Sequence, residues 1–406
     1  MIVLSHAEQR DRLRRTCPQA VPNTLLAGDI CYDRLLASRP LRPTYRRAFG
    51  LTAGQQLIVI SSTWGRDSLI AADPELPCRV ASALPADEFR VLLTLHPNTR
   101  AHHSRWQVAE YLSSARRAGV HVSHDVDFWR TGVVAADLLI GDHGSVPFYS
   151  AALGNPLLLA SAPTHAVDPD SPSAQLLSAA PHLDLSADIL DQVRRAIADH
   201  HPDRYAAIGA LATSTPGNGA ELLRAAMYSA MKLPEPDHAA DIAVLPLPTD
   251  PLIGADAHVV HVDAHADRAA TITRFPAERM RTGESAGPNT HLAVGVQEPQ
   301  RRWLELADLI IGSPGPDTES WITDTLAQLP GCALAAAPTS RGDWLLGNQD
   351  QQLRVESAEL PSRLFASLAY HLVSRDHTID DLIGDWTIQC AGHSYQVAVT
   401  KIPPAR

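Results

Sequence analysis

Short apolar runs alternate with longer amphipathic stretches through the first 235 residues of the chain. The runs predict buried strands at 57–62, 89–96, 120–124, 137–142 and 156–161. The segments 103–119 and 146–155 carry apolar side chains at mostly helical spacing, and each has a glycine near its end that suits a helix C-terminus. Strands that alternate with helices need crossover connections, so the pattern predicts a parallel sheet covered on both faces.

The rest of the chain returns to strand-like runs after a linker at 233–238. These runs lie at 241–247, 258–263, 291–296, 307–313, 332–338 and 353–357. The tail differs, because a helix is predicted at 362–374 and the segments 386–392 and 394–400 have the pattern of a terminal hairpin. We therefore predict a Rossmann-like, doubly wound α/β domain over residues 1–235 and a second, smaller α/β domain of undefined role over residues 236–406.

The two predicted domains contain one similar stretch. Residues 135–163 align with residues 306–338, and both segments have the order strand, glycine-containing turn, helix, strand. Any two βαβ units look alike at this level, and an old duplication that lost the HGS turn in its second copy would give the same pattern. Both explanations predict an α/β module in the second half.

Charge and composition narrow the class of protein. The formal net charge is −11, and the Lys and Arg residues are scattered, which argues against nucleic acid as a partner. The 5 cysteines lie far apart with no CxxC pair, as expected for reduced thiols in the cytosol. No signal peptide is visible, and no run approaches the length of a membrane span. These features predict a cytoplasmic protein.

Three polar turns follow three of the predicted strands. The first, SSTWGRDSL, contains Ser61, Ser62, Thr63 and Gly65; the second, LHPNTR, contains His96 and Arg100; the third, GDHGSV, contains Asp142, His143, Gly144 and Ser145. Open parallel sheets bind ligands beyond the carboxyl ends of their strands. A helix that starts near Ser145 would attract an anion with its free N–H groups, although each turn alone is also compatible with a simple polar loop.

The tryptophans differ in their surroundings. Trp64 stands beside the glycine of the first turn, where it is a candidate for stacking on a nucleotide base. Trp106 and Trp321 fall in helical patterns, so we expect them to pack into a core.

The order of VISSTWG, LHPN and ADLLIGDHGSVPFYSAALGNPLLL resembles the donor-binding half of GT-B glycosyltransferases. Within that class it is most similar to the CDP-glycerol glycerophosphotransferase group, the teichoic-acid polymerase type. That group has an HP motif, here His96 and Pro97, and a strand followed by D-Y-S-S or a similar turn. The segment at 27–38 also resembles the G-x-P-x-x-D-x-L element that enters the domain, and the resemblance covers residues 20–225.

The resemblance implies a role for each turn. His96 would contact the donor diphosphate or act as the acid that helps the nucleotide depart, which stabilises the developing negative charge. Ser145 and the neighbouring backbone N–H groups would hold a phosphate, and Ser61, Ser62 and Thr63 would line the same cleft. Gly65, Arg100, Asp142, His143 and Gly144 complete the predicted donor site. His143 stands where the family has tyrosine or serine.

The chain departs from the family in the order of its lobes. A GT-B enzyme has two Rossmann-like lobes, and its donor lobe normally follows an acceptor lobe. Here the donor-like segment begins close to residue 1. The acceptor lobe would then be supplied by the second half, by another chain, or by a preceding part of a longer protein.

The segment HVDAHADR at 261–268 offers a competing hypothesis. It resembles the metal-binding motif of arginase-type ureohydrolases, in which Asp263, His265 and Asp267 would ligate Mn²⁺. GDHGS is superficially like a second motif of those enzymes, but it lies far from this segment, and the later S-x-D-x-D element is absent. A single structural metal is another reading, and a polar exit from a strand explains the segment better than either metal site.

These observations predict a cytoplasmic transferase that binds a CDP- or UDP-linked donor and moves a glycosyl or glycerophosphate group without a metal or other cofactor. One alternative is a catalytically inactive nucleotide-binding or assembly protein derived from such a lobe, and another is a metal-dependent hydrolase. The acceptor and the oligomeric state are not defined by the sequence. Association with a membrane surface or a partner subunit is compatible with it.

Overall fold

A computed structural model describes residues 1–123, 127–281, 289–315 and 317–402, apart from the side chain of Arg100. The chain forms two compact units. The first comprises residues 1–77, 91–112 and 121–252, and the second comprises residues 78–90, 113–120 and 253–406. The division of the sequence at residue 235 stays a prediction. His124, at the end of one predicted strand, lies outside the described residues.

Seven strands and fourteen helices precede residue 253 in the described part of the chain. The strands are β1 (Ile2–Leu4), β2 (Thr24–Leu26), β3 (Gln56–Ser62), β4 (Phe89–Leu95), β5 (Val120–Val122), β6 (Leu138–Gly141) and β7 (Leu157–Leu159). The helices are α1 (Ala7–Thr16), α2 (Ile30–Ser38), α3 (Arg42–Ala48), α4 (Leu69–Ala72), α5 (Leu76–Ala83), α6 (Pro97–His102), α7 (Arg105–Tyr111), α8 (Ser113–Arg117), α9 (Phe128–Ala135), α10 (Ser145–Ala152), α11 (Pro172–Ala179), α12 (Ile189–Ala198), α13 (Ala206–Gly209) and α14 (Gly219–Met231).

The first unit is built on a parallel sheet with the strand order β5-β4-β3-β6-β7. Its central strand is β3, whose residues from Leu57 to Ser62 are buried. Leu138, Leu139 and Ile140 of β6 pair with β3, and β6 in turn pairs with β7. The chain runs from β3 outward through β4 and β5, and then returns to the other side of β3 with β6. The predicted doubly wound α/β fold is therefore confirmed, with a change of direction at β3 and β6.

Nine strands and three helices follow residue 253 in the described part of the chain. The strands are β8 (Ala257–His265), β9 (Ala269–Pro276), β10 (Thr290–Gly295), β11 (Leu309–Ile311), β12 (Leu334–Pro338), β13 (Trp344–Gly347), β14 (Gln352–Glu356), β15 (Gly384–Cys390) and β16 (His393–Lys401). The helices are α15 (Arg301–Leu306), α16 (Thr318–Gln328) and α17 (Glu359–Val373).

The nine strands of the second unit form one closed sheet around a helix. Their order is β10-β11-β12-β13-β14-β16-β15-β9-β8, and antiparallel pairing of β8 with β10 closes the ring. Helix α17 packs against eight of these strands. Its side chains are buried on all sides, as expected for a helix enclosed by a core, and Leu364, Phe365 and Leu368 are fully buried. The predicted terminal hairpin is β15 and β16.

Three expectations are wrong or incomplete. The run at 241–247 is not a strand. Leu245 of this run packs alone into the core of the first unit, where its N–H donates to the Ser38 hydroxyl and its carbonyl accepts from the Tyr45 hydroxyl. Trp106 is 74% exposed rather than in a core. Strands β1, β2, β9 and β13 were not predicted. Strands β1, β2 and β13 contain only three or four residues, and β9 alternates apolar with polar residues. The stretches at 135–163 and 306–338 share the order strand, helix, parallel strand, as expected.

Across the described ranges, no helix combines the length and the apolar character that crossing a membrane requires.

Candidate functional site

The turn after β3 is a compact structure held by its own hydroxyl groups. Ser61 and Ser62 are buried. The Ser62 Oγ donates to the carbonyl of Thr63 at 3.0 Å and accepts from the N–H of Ile70 at 3.1 Å. Gly65 adopts a φ of +90°, a conformation that favours glycine, and an added Cβ would meet open space. The Ser62 hydroxyl therefore shapes the turn, Ser61 is buried beside it, and the more accessible part of the turn begins at Thr63.

The Asp142 carboxylate joins the turn after β6 to the turn after β3. One carboxylate oxygen accepts from the N–H groups of Thr63 at 2.8 Å and Leu69 at 3.0 Å, and the other accepts from Gly144 at 3.0 Å. The side chain is 1% exposed. Its lone pairs thus serve the backbone of both turns, so Asp142 positions the site rather than facing a ligand.

Helix α10 begins where the sequence predicts, but its cap differs. The N-cap is Gly144, which has no side chain to accept a hydrogen bond from the helix. Ser145 is the first residue of the helix and is exposed. The first N–H groups of a helix have no partner within it, and Pro147 has none to offer. Ser145 and Val146 therefore supply the N–H groups of this helix end. The half-buried His143 has an Nδ1 with no hydrogen-bond partner among the described residues.

His96 follows β4 and lies next to the turn after β3. Its backbone N–H donates to the carbonyl of Ser62 at 3.1 Å. Its Nδ1 accepts from the N–H of Asn98 at 3.1 Å, which caps the short helix α6. In a neutral imidazole this bond leaves the proton on Nε2, so the free side of the ring carries a donor. The side chain of Arg100, in the same turn, lies outside the described residues.

An apolar cavity of about 570 Å³ opens beside these two turns. Trp64, 47% exposed, lines it and stacks on His102 with ring centroids 5.6 Å apart and planes within 10°. The Trp64 ring also lies 6.2 Å from that of His96. Arg66, at the cavity wall, has a side chain that is 89% exposed and 3.5 Å from Asp67. The site therefore combines an aromatic platform, a cation and a histidine donor.

The structure brings most of the predicted residues to one edge, but not into one cavity. An added Cβ on Gly144 would lie 3.2 Å from the Cβ of Thr63, so the first and third turns are in contact. Gly65 lines the cavity. Eight other predicted residues are not among its walls: Ser61, Ser62, Thr63, His96, Asp142, His143, Gly144 and Ser145. Arg66, Asn98 and Tyr111 line it without having been singled out in the sequence. Of these three residues, only Arg66 could have been inferred from the sequence, because it follows Gly65 of the first turn.

The competing metal motif lies in the second unit. Asp263 and His265 are exposed residues at the end of β8, and His265 Nε2 lies 3.0 Å from the Thr271 hydroxyl. Asp267 follows in the turn, with a φ of +63°. Within the described ranges, no group of three His, Cys, Asp or Glu side chains is arranged to hold a metal ion.

Comparison with known proteins gives structural similarity only. No family model matches the chain, and no curated protein matches it. The wall teichoic acid polymerase TagF is similar at 13% identity over 57% of each chain, with a TM-score of 0.38. A UDP-GlcNAc 2-epimerase from Neisseria meningitidis, bound to UDP-GlcNAc, is similar at 15% identity over 56% of this chain and 60% of that chain, with a TM-score of 0.34.

A third similar structure describes EarP-mediated arginine glycosylation of translation elongation factor EF-P. It has 15% identity over 52% of this chain and 73% of that chain, with a TM-score of 0.30. The chain thus spans little more than half the length of the teichoic acid polymerase.

The fold and the site together define a class. The first unit is a Rossmann-like α/β domain whose polar turns meet at the carboxyl ends of β3, β4 and β6. This edge, at the change of direction in the strand order, is where open parallel sheets bind their ligands.

Proposed function

We propose that the first unit binds a nucleotide-diphosphate donor and that the protein is a GT-B-type transferase of a glycosyl or glycerophosphate group. The observation that carries this proposal is the meeting of three polar turns at one edge beside an aromatic-lined cavity. A base fits against Trp64, since every base presents a π-face to an aromatic ring. A phosphate fits the N-terminus of α10, where Ser145 adds a hydroxyl to the N–H groups.

The chemistry of the proposal rests on His96. Loss of a nucleotide leaving group builds negative charge on a phosphate oxygen, and a positioned donor stabilises that charge. Because Asn98 occupies Nδ1, the neutral ring presents Nε2–H to a ligand. Arg66 is the exposed cation closest in the chain to the Trp64 platform and would approach the diphosphate. In this proposal, protein donors carry the diphosphate charge without a metal, and the nucleotide is CDP or UDP.

A nucleotide titration with a matched pair of tryptophan variants tests the proposal. We expect CDP or UDP to raise the melting temperature of the full chain in a saturable manner. Trp64→Ala should weaken the dissociation constant roughly tenfold, the loss of one base stack. Trp106→Ala is the control, because Trp106 is 74% exposed and outside the cavity wall. If CDP, UDP and GDP all leave the melting temperature unchanged, the proposal fails.

A second candidate is a nucleotide-binding protein without transferase activity. The second unit favours it, because a closed sheet around α17 is not the open Rossmann-like lobe that GT-B enzymes place opposite the donor. Saturable nucleotide binding without release of CDP or UDP from any donor would favour this function. Turnover of a donor by the purified chain would exclude it.

A further inference from the structure

The second unit contains a cavity of about 540 Å³ that is separate in its lining from the site above. Five of its lining residues are arginines: Arg90, Arg116, Arg117, Arg274 and Arg363. His258 lines the same cavity, and so do two acidic residues, Asp256 and Glu298. So many guanidinium groups around one cavity need compensating negative charge, because neighbouring like charges repel strongly away from water.

Part of that charge comes from the protein itself. Arg274 makes a bidentate ion pair with the buried Asp87, with N–O distances of 2.9 and 2.6 Å. Arg117 donates to the buried Glu278 at 2.6 Å. These two arginines are therefore neutralised by carboxylates that hold them in place.

Two other arginines and a histidine line the cavity without a bond to a buried carboxylate. Arg90 donates to the backbone carbonyls of Ala86 and Phe89. Arg363 pairs with the exposed Glu359 at 3.0 Å, but its buried Nε has no partner among the described residues. His258 is 9% exposed and makes no hydrogen bond to any described residue, although it lines the cavity. A buried donor without a partner is costly, so a bound ligand would supply the acceptor that the Arg363 Nε lacks.

The electrostatics agree with this geometry. Burial lowers the pKa of Arg90; the charge of Asp87 opposes this change, and that of Arg274 adds to it. The pKa of Arg363 is lowered by burial as well; Glu359 and Asp256 oppose the change, and Arg274 adds to it. Burial, Arg274, Arg363 and Arg90 together lower the pKa of His258 to about 3, against the opposing effect of Asp87. An anion bound in the cavity would relieve the repulsion among Arg90, Arg274 and Arg363.

Asp256 and Glu298 add hydrogen-bond acceptors to the lining of the cavity. Glu298 accepts from the N–H of Gln300 at 3.0 Å, and burial raises the pKa of its carboxyl group, with Asp256 adding to the change. Carboxylates accept hydrogen bonds from hydroxyl groups and repel phosphate. The charge of Asp256 acts on both Glu298 and Arg363. The lining thus contains guanidinium groups, which donate to phosphate, and carboxylates, which accept from hydroxyl groups.

We propose that this cavity binds an organic phosphate that carries hydroxyl groups, such as a phosphorylated sugar or polyol. Its phosphate contacts Arg90, Arg363 and His258, and its hydroxyl groups face Asp256 and Glu298. Guanidinium groups match the geometry of phosphate oxygens through paired N–H donors. The volume of the cavity is in the range that holds small metabolites.

The test uses the full chain and two probes, inorganic phosphate and glycerol 3-phosphate. Isothermal titration should show one saturable site for glycerol 3-phosphate and weaker binding of inorganic phosphate, because only the ester has hydroxyl groups. Arg363→Gln and Arg90→Gln should each weaken glycerol 3-phosphate roughly tenfold or more, the loss of one charge-assisted contact. The melting temperature of each variant without ligand shows separately what loss of the Arg363–Glu359 pair or of the Arg90 bonds to Ala86 and Phe89 does to stability.

Controls separate this site from other phosphate binding. Arg301→Gln removes an arginine whose side chain is 88% exposed, and it should bind both probes as the wild type does. Trp64→Ala, in the first unit, should leave glycerol 3-phosphate binding unchanged, so failure of the nucleotide site and of this site can be told apart. The proposal is overturned if the wild type does not bind glycerol 3-phosphate, or if Arg363→Gln and Arg90→Gln bind it as tightly as the wild type does.

Discussion

At the residue scale, the Asp142 carboxylate determines the shape of the candidate donor site. It is buried, and three backbone N–H groups from two turns point at it. A buried carboxylate is tolerated only where such bonds replace water. The turns that carry Thr63 and Gly144 are therefore held together by one side chain.

We predict that Asp142→Asn is destabilising, because the amide N–H₂ of asparagine meets backbone donors where a carboxylate accepted their bonds. Hydrogen bonds to a charged group contribute roughly 1.5–3 kcal/mol, so the free energy of unfolding should fall by about 2 kcal/mol. Urea denaturation measures this change. Asp67→Asn, in the same turn but with a side chain 34% exposed, should change the midpoint little. A wild-type midpoint for Asp142→Asn would show that the carboxylate does not join the turns.

His96 gives a prediction about catalysis rather than stability. If its Nε2–H stabilises the leaving group, His96→Ala should lower kcat for donor cleavage by roughly 100-fold or more and change KM only a few-fold. His201→Ala, whose side chain is 78% exposed, is the matched control and should leave both constants unchanged. A rise in KM with an unchanged kcat would assign His96 to donor binding alone.

At the element scale, the strands of the first unit followed from the alternation of apolar runs with amphipathic segments. Strands β3, β4 and β6 lie within one residue of their predicted bounds, because a strand buried on both faces is a continuous apolar run. The run at 241–247 has the same pattern but no partner strand, so apolar character alone did not distinguish a strand from a docked segment. Trp106 lies on a predicted apolar helix face but is exposed. Helical spacing identifies such a face but does not show whether another element packs against each of its turns.

Helix α17 is the element on which the second unit depends. We predict that Leu368→Ala lowers the free energy of unfolding by about 2–5 kcal/mol, because the side chain is fully buried and strands surround the helix. Urea denaturation of the full chain, followed by circular dichroism, measures the loss. Leu306→Ala in α15 is the matched control, since Leu306 is 51% exposed, and should change the midpoint little. Equal midpoints for the two variants would contradict a central role for α17.

At the scale of the whole molecule, the sequence predicts the edge where the polar turns meet but not the architecture of the second unit. The turns at Thr63, His96 and Asp142 each follow a recognisable strand, so their meeting could be predicted from sheet topology. Closure of the other sheet depends on pairs distant in the chain, such as β9 with β15, and no local pattern encodes such a pairing. The arginine-lined cavity was missed for the same reason, because Arg90, Arg274 and Arg363 come from separate segments.

Buried histidines make the stability of the molecule depend on pH. The Nδ1 and Nε2 of His291 have no hydrogen-bond partner among the described residues, and its ring lies 4.7 Å from that of Tyr370. Burial first and then His371 lower the pKa of His291 to about 3, and burial likewise lowers the pKa of His258 to about 3. Each pKa is thus far below the value of about 6.5 in an unfolded chain.

We therefore predict a loss of stability in acid. Between pH 6.5 and pH 3 the unfolded chain binds protons that the folded protein excludes, so stability is complete above about pH 6.5 and falls as the pH is lowered. Urea midpoints measured from pH 8 to pH 4.5 should fall below pH 6.5, by on the order of 1 kcal/mol per pH unit for each histidine. His291→Leu should reduce this slope, and His201→Leu, at an exposed site, should not. A slope in His291→Leu equal to that of the wild type would mean that other groups cause the loss, because the variant has no imidazole at this position to protonate.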